Sequence, residues 1–354
     1  MRVHVVGAGP SGSVSAVSAL REGHNVCLYE EHERAGLPIN CSGLISKEGL
    51  NSLSDMADFR RHTINRIKGA VIDCAGSRLL VDSGKDIAYV IDRASFDDAL
   101  ARKAEQEGAK FFFGKRLTAF PEGNIIGADG PLSSVASGFG FPEIYRFVAT
   151  SQCRVRYDGE MPDHVRVFLS NEMFPGFFAW MIPHNEEEAE AGAGCILPGN
   201  SDRALDALSK YTGIPFSKER KHSIIPVARR PKTALSYGSR NVLLVGDAAG
   251  QVKSTTGGGV VFGTSCARIA GRLADSPLEY EREWKTAHGK DLDAHYRIHC
   301  ALGRLNGDSL RALASVSSAF RIEEFLKKEG DMDRPTRMLG PNLLLHPLRS
   351  LLQK

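Results

Sequence analysis

The chain has 354 residues, of which 42% are hydrophobic and 25% charged, with a formal net charge of +3. That length can bury a full core and suggests two domains. The small charge, with no dense Lys/Arg stripe, excludes a nucleic-acid footprint, and no apolar run is long enough to span a membrane.

In chain order, Val3–Val6 reads as a short strand that runs into Gly7-Ala8-Gly9-Pro10-Ser11-Gly12 and then a helical stretch to Glu22. No secretory signal is expected, because Met1–Val6 leads directly into this strand and turn. Gly7 permits the tight turn, Gly9 lets the backbone approach a pyrophosphate, and Gly12 allows close packing of helix on strand. The helix start offers free N–H groups and a positive dipole end to phosphates. Ala16 is small on the packing face, and Gly23 turns the chain into a second strand, Asn25–Tyr29, ending at Glu30. An acid there accepts hydrogen bonds from ribose hydroxyls and repels a 2′-phosphate, which disfavours NADP.

Further on, Phe96–Glu107 reads as a helix and Ala109–Phe113 as a strand. Arg93, just before the helix, is either a surface cation or a residue that reaches back to a cofactor. Ile125-Ile126-Gly127-Ala128-Asp129-Gly130 is a strand and an acid-glycine turn. Alone it would be a capped helix start, with Asp129 satisfying N–H groups. The run Glu186–Glu190 reads as a solvated hairpin tip.

The segment from Val245 to Gly259, VGDAAGQVKSTTGGG, follows a buried strand, Asn241–Val245, and precedes a helix, Val260–Leu273. A strand, an acid, a small-residue turn and a glycine-rich helix start form a second nucleotide signal. Two such signals at opposite ends of the chain suggest one long cofactor lying across the fold. In the last segment, Leu343, Leu344, Leu345, Leu348, Leu351 and Leu352 form an apolar face flanked by Arg349 and Lys354. Packing on the protein and peripheral contact with a membrane surface both stay open. The seven cysteines are widely spaced with no CxxC pair. They speak against disulfides and a metal site and fit a reducing cytoplasm. Cys27 and Cys266 read as core.

These signals together resemble the flavoprotein superfamily built like para-hydroxybenzoate hydroxylase. Two further segments are similar to the geranylgeranyl reductase family within it. They are the cysteine loop Pro38–Ser46, PINCSGLIS, and the aromatic stretch Phe174–Pro183, FPGFFAWMIP. The resemblance covers roughly residues 1 to 275. It implies an FAD cofactor, with Gly7, Gly9, Ser11, Gly12 and Glu30 holding the adenosine end, supported by Arg93 and backbone near Leu117. Cys41, Ser42 and Gly43 would line the flavin ring, and Asp247 would bind the ribitol. Gly258, Gly259 and Val260 would present N–H groups to the ring edge, where the helix dipole would favour negative charge. A serine, Ser254, stands where the family usually has proline, and the stretch Phe111–Ile126 is short.

The implied fold is α/β: a Rossmann-type FAD-binding domain (1–62, 92–145 and 236–275), an inserted antiparallel β-sheet substrate domain (63–91 and 146–235) and C-terminal helices (276–354). The implied activity is saturation of geranylgeranyl chains in archaeal-type isoprenoid lipids. An isolated alkene needs a proton at one carbon as hydride reaches the other, and a dry pocket. Cys41 is the candidate catalytic residue, as acid or as shaping group. Strand alternation puts Phe178 and Trp180 on one face, where they would line a tunnel for the isoprenoid, with Phe177 and Ala179 on the other. His184 reads as a rim residue. The electron donor stays open between ferredoxin, a deazaflavin and NAD(P)H. The protein would be cytoplasmic, with peripheral membrane contact open. A flavin monooxygenase and a non-catalytic prenyl carrier are the alternative functions.

Overall fold

The computed structural model describes residues 1–157 and 159–338; the leucine-rich segment from Leu343, with Arg349 and Lys354, lies outside them. The first sheet is Rossmann-type. Its strands are β1 (Arg2–Val6), β2 (Asn25–Tyr29), β8 (Lys110–Phe112), β9 (Asn124–Gly127), β15 (Ala234–Tyr237) and β16 (Arg240–Leu244). Their order is β15-β16-β9-β1-β2-β8, parallel except for β15. Val3, Val5, Leu28, Ile126 and Leu243 are fully buried, as strands covered on both faces require. The helices over this sheet are α1 (Pro10–Arg21), α3 (Arg93–Gln106) and α6 (Val260–Arg272).

The expected helix at Phe96 begins three residues earlier, at Arg93. Asp92 caps it by accepting hydrogen bonds from the Ala94 and Ser95 N–H groups, so the added turn has a donor-satisfying start. The turn after β9 leads into a short helix, α4 (Ser134–Gly138). Asp129 accepts bonds from the Ser133 and Ser134 hydroxyls and the Val135 N–H. Its carboxylate is therefore occupied in building that helix.

The second sheet has seven strands: β5 (Gly69–Cys74), β6 (Ser77–Asp82), β10 (Phe147–Arg156), β11 (His164–Leu169), β12 (Ala179–Pro183), β13 (Glu188–Ile196) and β14 (Lys221–Pro226). They run in the order β14-β10-β13-β12-β11-β5-β6. It is antiparallel apart from one parallel pair, β11 with β5. One face packs on helix α5 (Ser201–Thr212) through Ala179, Met181, Ala189, Ala191 and Ala193 against Ala204, Leu205 and Leu208. A small antiparallel sheet, β3 (Leu44–Ser46), β7 (Ala88–Ile91) and β4 (Thr63–Ile67), packs Val90, Ala88 and Ile67 on the other face. Helix α2 (Lys47–Asn51) follows β3. The C-terminal helices are α7 (Pro277–Trp284), α8 (Lys290–Leu302), α9 (Gly307–Ala319), α10 (Ile322–Glu329) and α11 (Pro335–Met338), with a π-helical turn, Lys285–Gly289, between α7 and α8. Among the described residues no helix is long and apolar enough to cross a membrane.

The acidic run departs from expectation at its end. Glu186, Glu187 and Glu188 are exposed, but Glu190 lies within β13 and is 3% exposed. Strand period puts Glu188 and Glu190 on one face, so the hairpin tip carries only the first of them into water. Burial pushes the Glu190 carboxyl up to about 7, against the pull of Lys221 and Arg154. The folded chain thus holds this proton more tightly than the unfolded chain does. The stability it contributes is complete below the ordinary value of 4.5 and is lost as pH rises through about 7. Between pH 5 and 8 the native protein is expected to lose on the order of 2–3 kcal/mol that an E190Q variant keeps. Melting curves across pH check this; parallel pH profiles for the two proteins would refute it.

Candidate active site

Two helix starts meet at the C-terminal edge of the first sheet. Helix α1 begins after Gly9 and α6 after Gly259, and neither has a side-chain cap. Helices α2, α3, α4, α5 and α9 are capped by Ser46, Asp92, Ser133, Asn200 and Asn306; α7, α8 and α10 also lack a side-chain cap, but they follow other helices rather than a strand of this sheet. The first N–H groups of α1 and α6 are thus left for a ligand. A Cβ on Gly9 would enter open space, whereas one on Gly12 would collide with the Gly7 carbonyl. Gly12 therefore serves close packing, and Gly9 leaves the approach to the helix start free. Ser11 sits between the second turn and α6: a Cβ on Gly246 or on Gly263 would lie 2.6 Å from its hydroxyl.

At the other end of this turn the Glu30 carboxylate accepts the Ala8 N–H at 2.8 Å and the His32 N–H at 3.1 Å, with the His32 ring at 2.6 Å. These bonds fix its rotamer and leave one lone pair, on Oε2, for a ribose hydroxyl. Lys115 N–H bonds the Glu30 carbonyl, which brings the next stretch alongside. Leu117 there buries its side chain against Val6 and Tyr29.

Asp247 lies at the second turn, pinned by Gln251, whose side chain accepts the Gly246 N–H and donates to Tyr280. Among the described residues its carboxylate receives no hydrogen bond. It sits 2.8 Å from where a Cβ on Gly259 would stand. Burial pushes it up to about 6, while Arg93 pulls it down. A carboxylate with open lone pairs beside two free helix starts fits a polyhydroxyl chain that donates to it.

Arg93 is not the surface cation that was one of its two sequence-based readings. It forms a bidentate pair with Asp97 at 2.9 and 2.7 Å and is mostly buried. Burial opposes its charge, but Asp97 and then the Cys41 thiol hold it above the ordinary value. Arg93 thus lies where Cys41 and Asp247 both feel its charge. Cys41 itself is exposed, and its sulfur accepts the Gly43 N–H at 3.4 Å. Ser42 is half-buried and Gly43 buried, with the Gly43 carbonyl accepting the Ile91 N–H. Gly258, Gly259 and Val260 are half-exposed at the α6 start.

The aromatic stretch arrives at the same loop. Phe178 and Trp180 have ring centroids 5.6 Å apart. Phe177 joins them rather than the opposite face, 4.4 Å from Phe178, because β12 begins only at Ala179 and strand alternation does not reach back to it. A Cβ on Gly257 would stand 3.6 Å from the Phe177 ring. A small recess, with a cavity volume of about 30 Å³, is lined by Phe177, Phe178, Thr255, His299, Leu302 and Leu310, among others. Helices α8 and α9 thus supply one wall. His184 is buried rather than at a rim, and burial lowers its pKa.

Three features of the site were not read from the sequence. Lys253, inside the glycine-rich segment, pairs with Asp333 at 2.7 Å, and both are buried. Ser46 donates to the other Asp333 oxygen at 2.5 Å. His295 bonds Thr255 at 2.7 Å and approaches the Asp333 carbonyl at 3.3 Å; burial, then Lys253, pushes it down to about 4. Gly192 and Gly194 seat the Trp180 and Phe177 rings, which a Cβ at either position would strike. The alternation of small residues from Ala189 to Gly194 was the available signal for that floor. Nothing in the spacing pointed to Asp333.

A model for an NAD(P)-binding Rossmann-like domain matches residues 5–44. A digeranylgeranylglycerophospholipid reductase of Methanocaldococcus jannaschii is 28% identical over 89% of this chain and 90% of its own length. The resemblance to geranylgeranyl reductases holds over nearly nine-tenths of the chain. Among solved structures, a geranylgeranyl bacteriochlorophyll reductase-like protein from Thermoplasma acidophilum superposes with a TM-score of 0.77 at 23% identity, covering 90% of this chain and 91% of that one. A probable FAD-dependent monooxygenase from Pseudomonas aeruginosa superposes with a TM-score of 0.68 at 15% identity, covering 89% and 99%. These two likenesses establish the fold.

Replacing Asp333 by Asn should strand the Lys253 charge in the interior at a cost of about 3–5 kcal/mol. A K253M/D333L double variant should recover most of that loss, because no buried charge then lacks a partner. Equal melting points for D333N and the native protein would show that the pair is dispensable.

Proposed function

We propose that this chain is an FAD-dependent reductase that saturates carbon–carbon double bonds of geranylgeranyl chains in isoprenoid lipids or their precursors. One observation carries the reading: an apolar recess lined by Phe177 and Phe178 abuts Thr255 of the glycine-rich segment, two residues from Gly257. In this reading part of a flexible hydrocarbon would rest against the loop that would face the flavin ring. The relatives named as digeranylgeranylglycerophospholipid reductases support the substrate class.

In this reading Gly9, Ser11 and Gly12 hold the pyrophosphate at the α1 start, and Glu30 holds the adenosine ribose. Asp247 accepts the ribitol hydroxyls, and the α6 start at Gly258, Gly259 and Val260 faces the ring edge. Bound FAD, once reduced, supplies the hydride. The chain's own task is to exclude water, aim the alkene and provide a proton. Phe178, Trp180, Leu302 and Leu310 exclude water. Cys41, held in reach of Arg93, is the residue for proton delivery or for shaping the alkene's approach. The Arg93 guanidinium favours negative charge on Asp247, against the push of burial.

Anaerobic incubation of dithionite-reduced holoenzyme with geranylgeranyl lipids should yield products heavier in steps of two hydrogens by mass spectrometry. No mass gain, together with rapid oxygen-dependent NADPH consumption on an aromatic substrate, would favour a monooxygenase instead. Protein that takes up no FAD would favour a prenyl carrier. Cys41→Ala is expected to lower turnover by 10²–10⁴-fold if the thiol delivers the proton. Cys41→Ser should alter the product pattern if it shapes approach. Unchanged rate and products in both variants would remove Cys41 from the chemistry.

A further inference from the structure

The face of the seven-stranded sheet that seats the aromatic rings changes character toward the other end of β13. Register pairs Trp180 with Gly192 and Gly192 with Gln152, and pairs Ile182 with Glu190 and Glu190 with Arg154. Directly paired residues share a face, so Trp180, Gln152, Glu190 and Arg154 surround Gly192. Because Gly192 has no side chain, the indole leans over it, with Trp180 Nε1 2.7 Å from where a Cβ would stand.

Among the described residues, Trp180 Nε1, Gln152 Nε2, His184 Nε2 and Glu190 Oε1 are buried atoms without a hydrogen-bond partner. Their residues are 8%, 3%, 9% and 3% exposed. Orphaned polar atoms are costly one at a time, and four in one neighbourhood call for a ligand. Trp180 Nε1 and Gln152 Nε2 can only donate. Two cations stand at the mouth: Lys221 Nζ is 3.8 Å from Glu190, and Arg154 pairs with Glu188 at 3.4 Å. His184 and Glu190 both feel Lys221 and Arg154, and His184 also feels Glu188, so these groups occupy one locality.

We propose that this cluster binds a phosphate group carried on the polar end of the isoprenoid substrate, with Trp180, Gln152, Lys221 and Arg154 donating to its oxygens. The assignment rests on the proposed reductase reading for the identity of the chain that follows the phosphate. Donor-only orphans and flanking cations match an anion's oxygens, whereas an alcohol offers one oxygen and brings no charge. Glu190, whose carboxyl burial already keeps protonated near neutrality, must hold its proton when the anion enters, and then becomes a further donor. Four residues of β13 separate Glu190 from Gly194, the seat of Phe177, or about 13 Å. A phosphate at this cluster would set its hydrocarbon running along Trp180 and Phe178 toward the glycine loop.

The test compares geranylgeranyl phosphate with geranylgeraniol on the FAD-loaded enzyme, in native, K221Q and Q152L forms. The native enzyme should favour the phosphate in kcat/KM, and each variant should cut that preference about ten-fold. A preference left unchanged by both variants overturns the assignment. Calorimetric titration of geranylgeranyl phosphate provides a readout independent of turnover, and so stands even if neither compound gains hydrogen. Affinity should tighten from pH 8 to pH 6 in the native protein, and this dependence should flatten in E190Q. The same pH slope in both would overturn the role of Glu190. Inorganic phosphate binding as tightly as the lipid phosphate would overturn the lipid head as the ligand.

Discussion

The close approach of α1 to α6 is the constraint on which the site depends. A Cβ on Gly271 would lie 2.5 Å from the Ser15 carbonyl and the Ser18 side chain, and Gly263 and Gly246 leave room for Ser11. Interiors are packed too densely to absorb a methyl group at such contacts. These small residues bring two helices from opposite ends of the chain side by side, so that two uncapped starts open at one sheet edge. One helix start would bind a phosphate. Two, with Asp247 between the second turn and α6, define a long ligand with a charged middle and a hydroxylated arm. The remaining parts are arranged relative to that pair: α2 touches α6 where a Cβ on Gly49 would strike Val261, and the Cys41 loop rests on the Arg93 end of α3 near Gly36.

The second sheet solves a different problem with the same residue type. On its α5 face, alanines make a flat, dry contact. On the other face, Gly192 and Gly194 let aromatic rings lie on the backbone itself. The rings then lie flat along the sheet instead of standing off it. One end of this face is apolar and meets the glycine loop; the other holds unpartnered donors and Glu190. On the proposed reading, that gradient would give a long amphiphile a direction.

What was legible in the sequence follows from the range of the forces involved. Strand, glycine turn and helix succeed one another within the first thirty residues, and local sterics settle each of them, so β1, α1 and β2 fall where periodicity puts them. Asp247 was legible because its neighbours Gly246, Gly250 and Gly259 mark the turns around it. The burial of Arg93 was not legible, since it depends on Asp97 one turn on drawing the guanidinium inward. The side of the sheet on which Phe177 lands depended on where β12 begins. The Lys253–Asp333 pair joins residues 80 apart in sequence, and neither carries a local pattern; only the folded chain brings them together. Glu190 was hidden by its exposed neighbours, because composition averages over a hairpin whose burial changes within two residues.

Ser254 shows how a local departure from a family pattern can be absorbed. Proline at that place would stiffen the turn by fixing φ. Here the serine is buried, and its hydroxyl bonds the Val227 carbonyl just past β14. The restraint has moved from the backbone of the loop to a bond between the loop and the second sheet. Lys253, the adjacent residue, is tied in turn to Asp333 beyond α10, and Thr255 to His295 on α8. Three successive residues thus anchor the glycine-rich segment to three separate parts of the fold. The segment can then carry several glycines without becoming flexible, because its geometry is imposed from outside. A consequence is that the C-terminal helices, which the sequence pattern left with no part in the chemistry, belong to the support of the loop that would face the flavin ring.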